Sequence, residues 1–370
     1  MDGKTDKVYV LFEDDIEILG NGQGHVFYRQ YLPILQYVEL LKKYRIKSSF
    51  YVDMAHLLFL RKNAAIKDFG LQADYIEKTI EHLLQCNMEV QLHLHPQWVN
   101  ARMENDEIKV ADEWNIGQLS ENDQTELVRK SLSYLNDVIE KTNITNPITS
   151  FRTGSWGIQP FQNLFETFNE VGIKTVLGPV KGLKIPRLAI DYSNMESDTV
   201  PYYCDKTDCN KIGIEKGAIV VPMTPTFLNW IDLGRYYLHS KFKSIKKTYD
   251  KDLDLNKKVL NTKYIDPTEG KDRITLSLRP FKTHLKMNAQ PFWLLKKTFK
   301  RSFDYVMGND NGFKLIVVET HSKDFKNNFD AIERFFDHLN NAYDGLEFIT
   351  ANSLWDAIEK QTVKPLVKNQ

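Results

Sequence analysis

Glu89-Val-Gln-Leu-His-Leu-His-Pro-Gln-Trp98 reads as a β-strand that ends in chemistry. Successive strand side chains point to opposite faces, so His93 and His95, two residues apart, share one face. Pro96 has no N–H to give to a sheet and stops the strand just beyond them. Two imidazoles converging at a strand end suit a metal such as Zn²⁺.

Working outward, short buried strands are expected at residues 8–12 and 48–52, with a helix over 31–44 that tolerates Pro33 in its first turn. Ile76, Ile80, Leu83 and Leu84 form a helical stripe leading into the histidine strand. After it, Ser120 caps a long amphipathic helix marked by Val128, Leu132, Leu135 and Ile139. A strand follows at 148–152, then a helix through Phe161, Leu164, Phe165 and Phe168 that Gly172 terminates. Further strands are expected at 173–177, 219–221, 315–320 and 346–349. Strands alternating with helices predict an α/β protein with a parallel sheet closing as a (β/α) barrel, in one domain over 1–370. Residues 100–117 read as an inserted loop. Residues 228–300, rich in Lys, Asp and Tyr, read as an insertion or lid.

The composition narrows the function. Lys+Arg and Asp+Glu both number 49, which speaks against a nucleic-acid or anionic-membrane partner. Three cysteines, Cys86, Cys204 and Cys209, do not make a secreted disulfide framework. No apolar run approaches a membrane span or a signal-peptide core, so a cytoplasmic setting is expected. Gly20-Asn-Gly-Gln-Gly24 lacks the spacing of a dinucleotide fingerprint and reads as a loop beside the site.

In parallel βα proteins the active site gathers at the C-terminal ends of the strands. The unusual polar residues fall there: Glu13-Asp14-Asp15, His93-Leu-His95, Arg152-Thr-Gly-Ser-Trp156 and Glu319-Thr-His321. In order and placement these resemble the motifs of the polysaccharide deacetylase superfamily (NodB homology, carbohydrate esterase family 4), in its His-x-His-Pro-x-Trp branch. The resemblance spans about residues 8–360 and rests on Phe12-Glu-Asp-Asp15, His93-Leu-His95-Pro, Phe151-Arg-Thr-Gly-Ser-Trp156 and Glu319-Thr-His321-Ser.

It implies a distorted seven-stranded NodB-like barrel with a long insertion. The implied activity is metal-dependent hydrolysis of an N-acetylated carbohydrate, in surface-polysaccharide biosynthesis. A divalent metal, zinc first, would be held by Asp15, His93 and His95. Asp14 would be the general base, Arg152 would orient it, and His321 would be the general acid.

This chain departs from the family in two places. The family's second metal histidine falls four residues after the first, where this chain has Gln97, and His95 is expected to replace it. On a regular strand Asp14 and Asp15 point apart; without a turn, Glu13 and Asp15 become the same-face pair. Trp98 and Trp156 offer flat faces for a sugar ring or wall the barrel mouth. The stretches Tyr192-Ser-Asn194 and Val200-Pro-Tyr-Tyr203 are expected to shape the pocket through Tyr203, and Arg279 to meet an anionic group on the substrate. The competing expectation is a deacetylase-like fold that has lost catalysis and acts as a carbohydrate-binding or assembly protein.

Overall fold

In the computed structural model, β1 (Val8–Ile16) belongs to a ten-stranded sheet. The structure describes residues 7–20, 22, 24–105, 107–214, 217–245, 282–288, 290–309, 313–325 and 328–368. The other strands are β2 (Ser48–Asp53), β3 (Glu89–Leu94), β4 (Ser150–Thr153), β5 (Thr175–Leu177), β6 (Tyr202–Tyr203), β7 (Ile219–Val221), β8 (Lys286–Met287), β9 (Lys314–Thr320) and β10 (Leu346–Phe348). Their order across the sheet is β6-β7-β5-β4-β3-β2-β1-β9-β8, and β10 also pairs with β1. All of these pairings are parallel except β6 with β7. This is the curled parallel sheet of a (β/α) barrel.

The helices are α1 (Leu32–Tyr44), α2 (Met54–Lys62), α3 (Phe69–Gln85), α4 (Glu121–Glu140), α5 (Gln162–Val171), α6 (Trp230–Ile245), α7 (Phe292–Met307), α8 (Phe329–Ala342) and α9 (Ala351–Glu359). Their ends follow local chemistry. Ser120 Oγ accepts from the backbone N–H of Asp123 at the start of α4, and Gly172 at φ +87° closes α5 in the left-handed region.

Strand alternation divides the core in two. Val10, Phe12, Phe50, Val52, Val90, Leu92, Phe151, Ile316 and Val318 pack outward with the helices. Leu11, Tyr51, Leu177, Ile219, Val221, Leu315 and Val317 face inward, and α9 adds Leu354 and Ile358 to that inner cluster. Toward the C-terminal ends the inward positions turn polar: Leu11 gives way to Glu13 and Asp15, and Val317 to Glu319.

β1 runs four residues beyond its expected end. Phe12–Ile16 sits in register with Ser48–Val52, so the acidic run is strand and not loop. Of the stretch expected to be an insertion, residues 286–287 form β8 beside β9, and α7 contacts β9, so its C-terminal part belongs with the main sheet. The loop at 100–117 carries a small hairpin, Arg102–Glu104 with Glu107–Lys109.

The end of β4 is a tight crossing. A Cβ on Gly154 would stand 2.3 Å from the Leu94 carbonyl oxygen, on the strand that carries the histidines. Gly154→Ala is therefore expected to destabilise the fold by about 1–3 kcal/mol, the usual range for an overpacked site. Urea denaturation followed by far-UV circular dichroism reads this as a lower midpoint.

Candidate metal centre and active site

Four strand ends build the site. His93 is the fifth residue of β3, and its Nδ1 donates to the Arg152 carbonyl at 2.9 Å. That bond fixes the ring and turns Nε2 toward Glu17 Oε2, 3.3 Å away. His95 Nε2 reaches the same carboxylate oxygen. The ligand atoms of Glu17, His93 and His95 lie within 4.8 Å of one another, and all three residues are buried.

Glu17 did not emerge from the sequence. Its signal was the strand period itself: Glu13, Asp15 and Glu17 are spaced two apart on the extension of β1. A second donor set, Asp15, Glu17 and His321, is equally tight. His321 Nε2 stands 3.3 Å from Asp15 Oδ2 and 3.5 Å from Glu17 Oε1.

Gln97 supports the His95 ring. Its side-chain Nε2 lies 3.0 Å from His95 Nδ1, and its Oε1 is buried without a hydrogen-bond partner among the described residues. The same Nε2 donates to the Gly20 carbonyl at 3.2 Å, so the amide ties the ring to the chain just past β1. Two imidazole nitrogens and a carboxylate are a donor set that zinc and similar divalent ions accept, so the residues fit a metal.

Arg152 is buried at the centre. Its Nε donates to Glu13 Oε2 at 2.7 Å and its Nη2 to Glu319 Oε2 at 2.7 Å, and Asp15 Oδ1 is 3.6 Å from Nε. Against the penalty of burial, Arg152, His93 and His321 hold the Asp15 carboxyl below its usual range. Burial pushes Glu13 up to about 8 despite Arg152. Burial also works against a charged His93, yet Asp15, Glu17 and Asp53 lift it to about 9. His321 is raised too, its burial outweighed mainly by the bond to Asp15.

Asp14 is not brought to this cluster. It lies on the outer face of β1, where Oδ2 accepts from Thr320 Oγ1 at 2.7 Å and from Ser322 N–H at 2.9 Å. Ser322 Oγ donates to its other oxygen. Strand alternation is the reason, since β1 makes no turn between Asp14 and Asp15. Burial pushes Asp14 up to about 7.

The aromatic expectations separate. Trp98 is 3% exposed and stacks on His56 at 4.3 Å, because the short helical turn Pro96–Trp98 carries it into the core behind the histidines. Trp156 stays half-buried at the site and its Nε1 donates to Glu319 Oε2 at 3.3 Å. Ser155 and Trp156 both adopt positive φ, 49° and 59°, and Tyr192 OH donates to the Trp156 carbonyl at 2.6 Å. Tyr203 sits on edge strand β6, separated from β4 by β7 and β5, and packs with the inner apolar cluster. Arg279 lies outside the described residues.

His284, unmarked in the sequence reading, stands edge-on to Trp156 and pairs through Nε2 with Glu319 Oε2 at 2.8 Å. Burial lowers it to about 4, so it is a neutral donor. Lys286 Nζ lies 4.8 Å over the Trp156 ring and 3.3 Å from Glu319 Oε1.

No family profile and no curated protein matches the sequence. Solved structures do match the fold. A protein from Mycobacterium smegmatis assigned as a polysaccharide deacetylase superposes with TM-score 0.54 at 12% identity, covering 100% of this chain and 96% of its own. A probable polysaccharide deacetylase from Pseudomonas aeruginosa PAO1 gives 0.51 at 12%, over 96% and 92%. The Puue allantoinase gives 0.50 at 11%, over 98% and 94%. The chain thus has the NodB-like (β/α) barrel fold of the polysaccharide deacetylases. Among the described residues, no helix is long and apolar enough to cross a membrane.

The His56–Trp98 stack makes a pH prediction. Burial, with a smaller contribution from His95, lowers His56 from 6.5 to about 3. The folded state therefore binds fewer protons than the unfolded chain. This contribution to stability is present above about pH 6.5 and is lost as pH falls toward 3. His56→Phe keeps the stack and removes the titration. Its denaturation midpoint should gain on the wild type steadily through that window and hold a constant offset above it.

Proposed function

We propose that this chain is a metal-dependent hydrolase that removes the acetyl group from an N-acetylated sugar. The observation that supports it most is the close meeting of Glu17, His93 and His95 with Asp15, Arg152 and His321 at the C-terminal mouth of the barrel. In this reading Glu17, His93 and His95 hold the ion, with Asp15 at its flank. Zinc, a cytoplasmic location and a surface-polysaccharide pathway belong to the same reading.

A bound divalent ion supplies Lewis acidity, polarising the acyl carbonyl and making water a stronger acid. Asp15 is the base: Arg152 keeps it ionised, and its Oδ2, which faces His321 Nε2, takes a proton from the attacking water. Asp14, on the outer face of β1 and bonded to Thr320 and Ser322, is given no catalytic role in this reading. The hydroxide adds to the acetyl carbon and the C–N bond breaks. His321, whose charged form Asp15 favours, gives its Nε2 proton to the departing amine. The products are acetate and the free amino sugar. Trp156, held by Glu319 and Tyr192, offers its ring as one wall for the sugar, and Lys286 over that ring is placed to meet an anionic group.

One observation favours the catalytically silent alternative: Glu17 is already paired with both histidines and with Lys323, so the cluster is electrostatically satisfied by itself.

The deciding measurement is acetate release from a panel of N-acetylated sugar nucleotides and oligosaccharides, with zinc supplied and after chelation. Release that chelation abolishes supports the enzyme; metal-loaded protein that releases none across the panel sinks it. His321→Gln should lower kcat by about 10²–10⁴, the usual share of a general acid. Isothermal titration calorimetry should find zinc affinity reduced at least about 100-fold by Glu17→Gln or His95→Ala, beyond the effect typical of an outer partner. Asp14→Asn should leave that affinity within a few-fold of the wild type.

A further inference from the structure

Glu17 faces two ways. Its Oε2 meets His93 and His95, while its Oε1 meets Lys323 Nζ and stands 3.5 Å from His321 Nε2. With Asp15, these residues form two three-donor sets sharing one carboxylate. Such a bridge is the arrangement that holds paired ions about 3.5–4 Å apart in two-metal hydrolases. In the second set the facing atoms are Asp15 Oδ2, Glu17 Oε1 and His321 Nε2, with the imidazole 3.3 Å and 3.5 Å from the two carboxylates.

Resting on the metal reading above, we propose that Lys323 is the protein's own second cation. Its ammonium takes the second position on Glu17, so the centre binds one divalent ion and His321 remains a proton donor instead of a ligand.

Lys323 is placed for this. It is only 9% exposed, and besides Glu17 its Nζ donates to the Ile18 carbonyl at 3.3 Å. It sits on the short turn Ser322–Asp324 that follows β9. That turn is latched by Asp14, which accepts from both the backbone and the hydroxyl of Ser322. The outward-facing carboxylate thus delivers His321 and Lys323 to the inward-facing ones. An ammonium bonded to Glu17 Oε1 uses the oxygen a second ion would need, and its charge repels that ion. Among the described residues no cation of fixed charge stands on Oε2, where the neighbours are imidazoles that can give up a proton and donate a lone pair.

Metal content tests the assignment directly. Full-length protein is loaded with zinc, freed of excess, and counted by plasma mass spectrometry, with calorimetric titration as a second readout. The wild type should hold one equivalent. Lys323→Met, of similar length and uncharged, should hold two, as should Lys323→Gln. Lys323→Arg, which keeps a charge there, should stay at one. Adding Asp15→Asn to Lys323→Met should return the count to one by removing a donor from the second set. Two equivalents in the wild type, or one in both neutral variants, overturns the proposal while leaving metal binding intact. No metal in any form overturns the metal reading and this proposal together.

Discussion

The Arg152 guanidinium reaches across the inside of the barrel from β4 to the ends of β1 and β9, and the site depends on that span. It bonds Glu13 and Glu319 and stands beside Asp15, all in the interior. Desolvating a guanidinium and its carboxylates is expensive, and apolar side chains of the same volume would stabilise such a core as well or better. Removing one partner is worse still, about 3–5 kcal/mol, because a charge is left buried alone. The network is therefore poorly explained as a device for stability. What it does is hold Asp15 ionised and fix Glu319, which in turn orients Trp156, His284 and Lys286.

This arrangement follows from the strands changing character along their length. Near their starts, inward positions are Leu11, Leu315 and Val317, closed beneath by α9. Near their ends the same face carries Glu13, Asp15, Glu319 and His93. The apolar half supplies rigidity and the polar half supplies chemistry, with no loop between them. Side chains on paired strands are positioned more firmly than side chains on loops. The exception is Trp156, whose positive φ marks backbone held in an unfavourable region beside the site, as is common where geometry serves function.

Most strands were legible because period-2 burial and flanking turn residues survive in any parallel sheet. The line of polar strand ends was legible for the same reason. Glu17 was hidden by a boundary error. With the apolar strand read as Val8–Phe12 and Glu13-Asp14-Asp15 as its end, Glu17 fell outside the pattern, whereas pairing with Ser48–Val52 carries the strand, and its alternation, onward to Ile16. The same alternation separates Asp14 from Asp15, an outcome the sequence reading left open. Trp98 misled for a different reason: closeness in sequence to the histidines says nothing about direction once a helical turn intervenes. His284 and Lys286 belong to segments with little periodicity, and only long-range packing brings them to Trp156.

The i, i+2 spacing of the histidines has its own physical consequence. A ligand four residues after His93 would sit at Gln97, beyond Pro96 and inside the short helical turn. Placing it at His95 keeps both imidazoles beside paired strand, His93 tied to β4 through the Arg152 carbonyl and His95 through its own N–H to Asp53. Gln97 then serves the ring instead of replacing it: its amide meets His95 Nδ1 and, through Nε2, the Gly20 carbonyl just past β1. A polar but uncharged residue suits that place, because an amide meets both the ring nitrogen and the carbonyl without adding a buried charge. By this geometry Gln97 in the short turn supports the ring of a histidine that stands at the strand end.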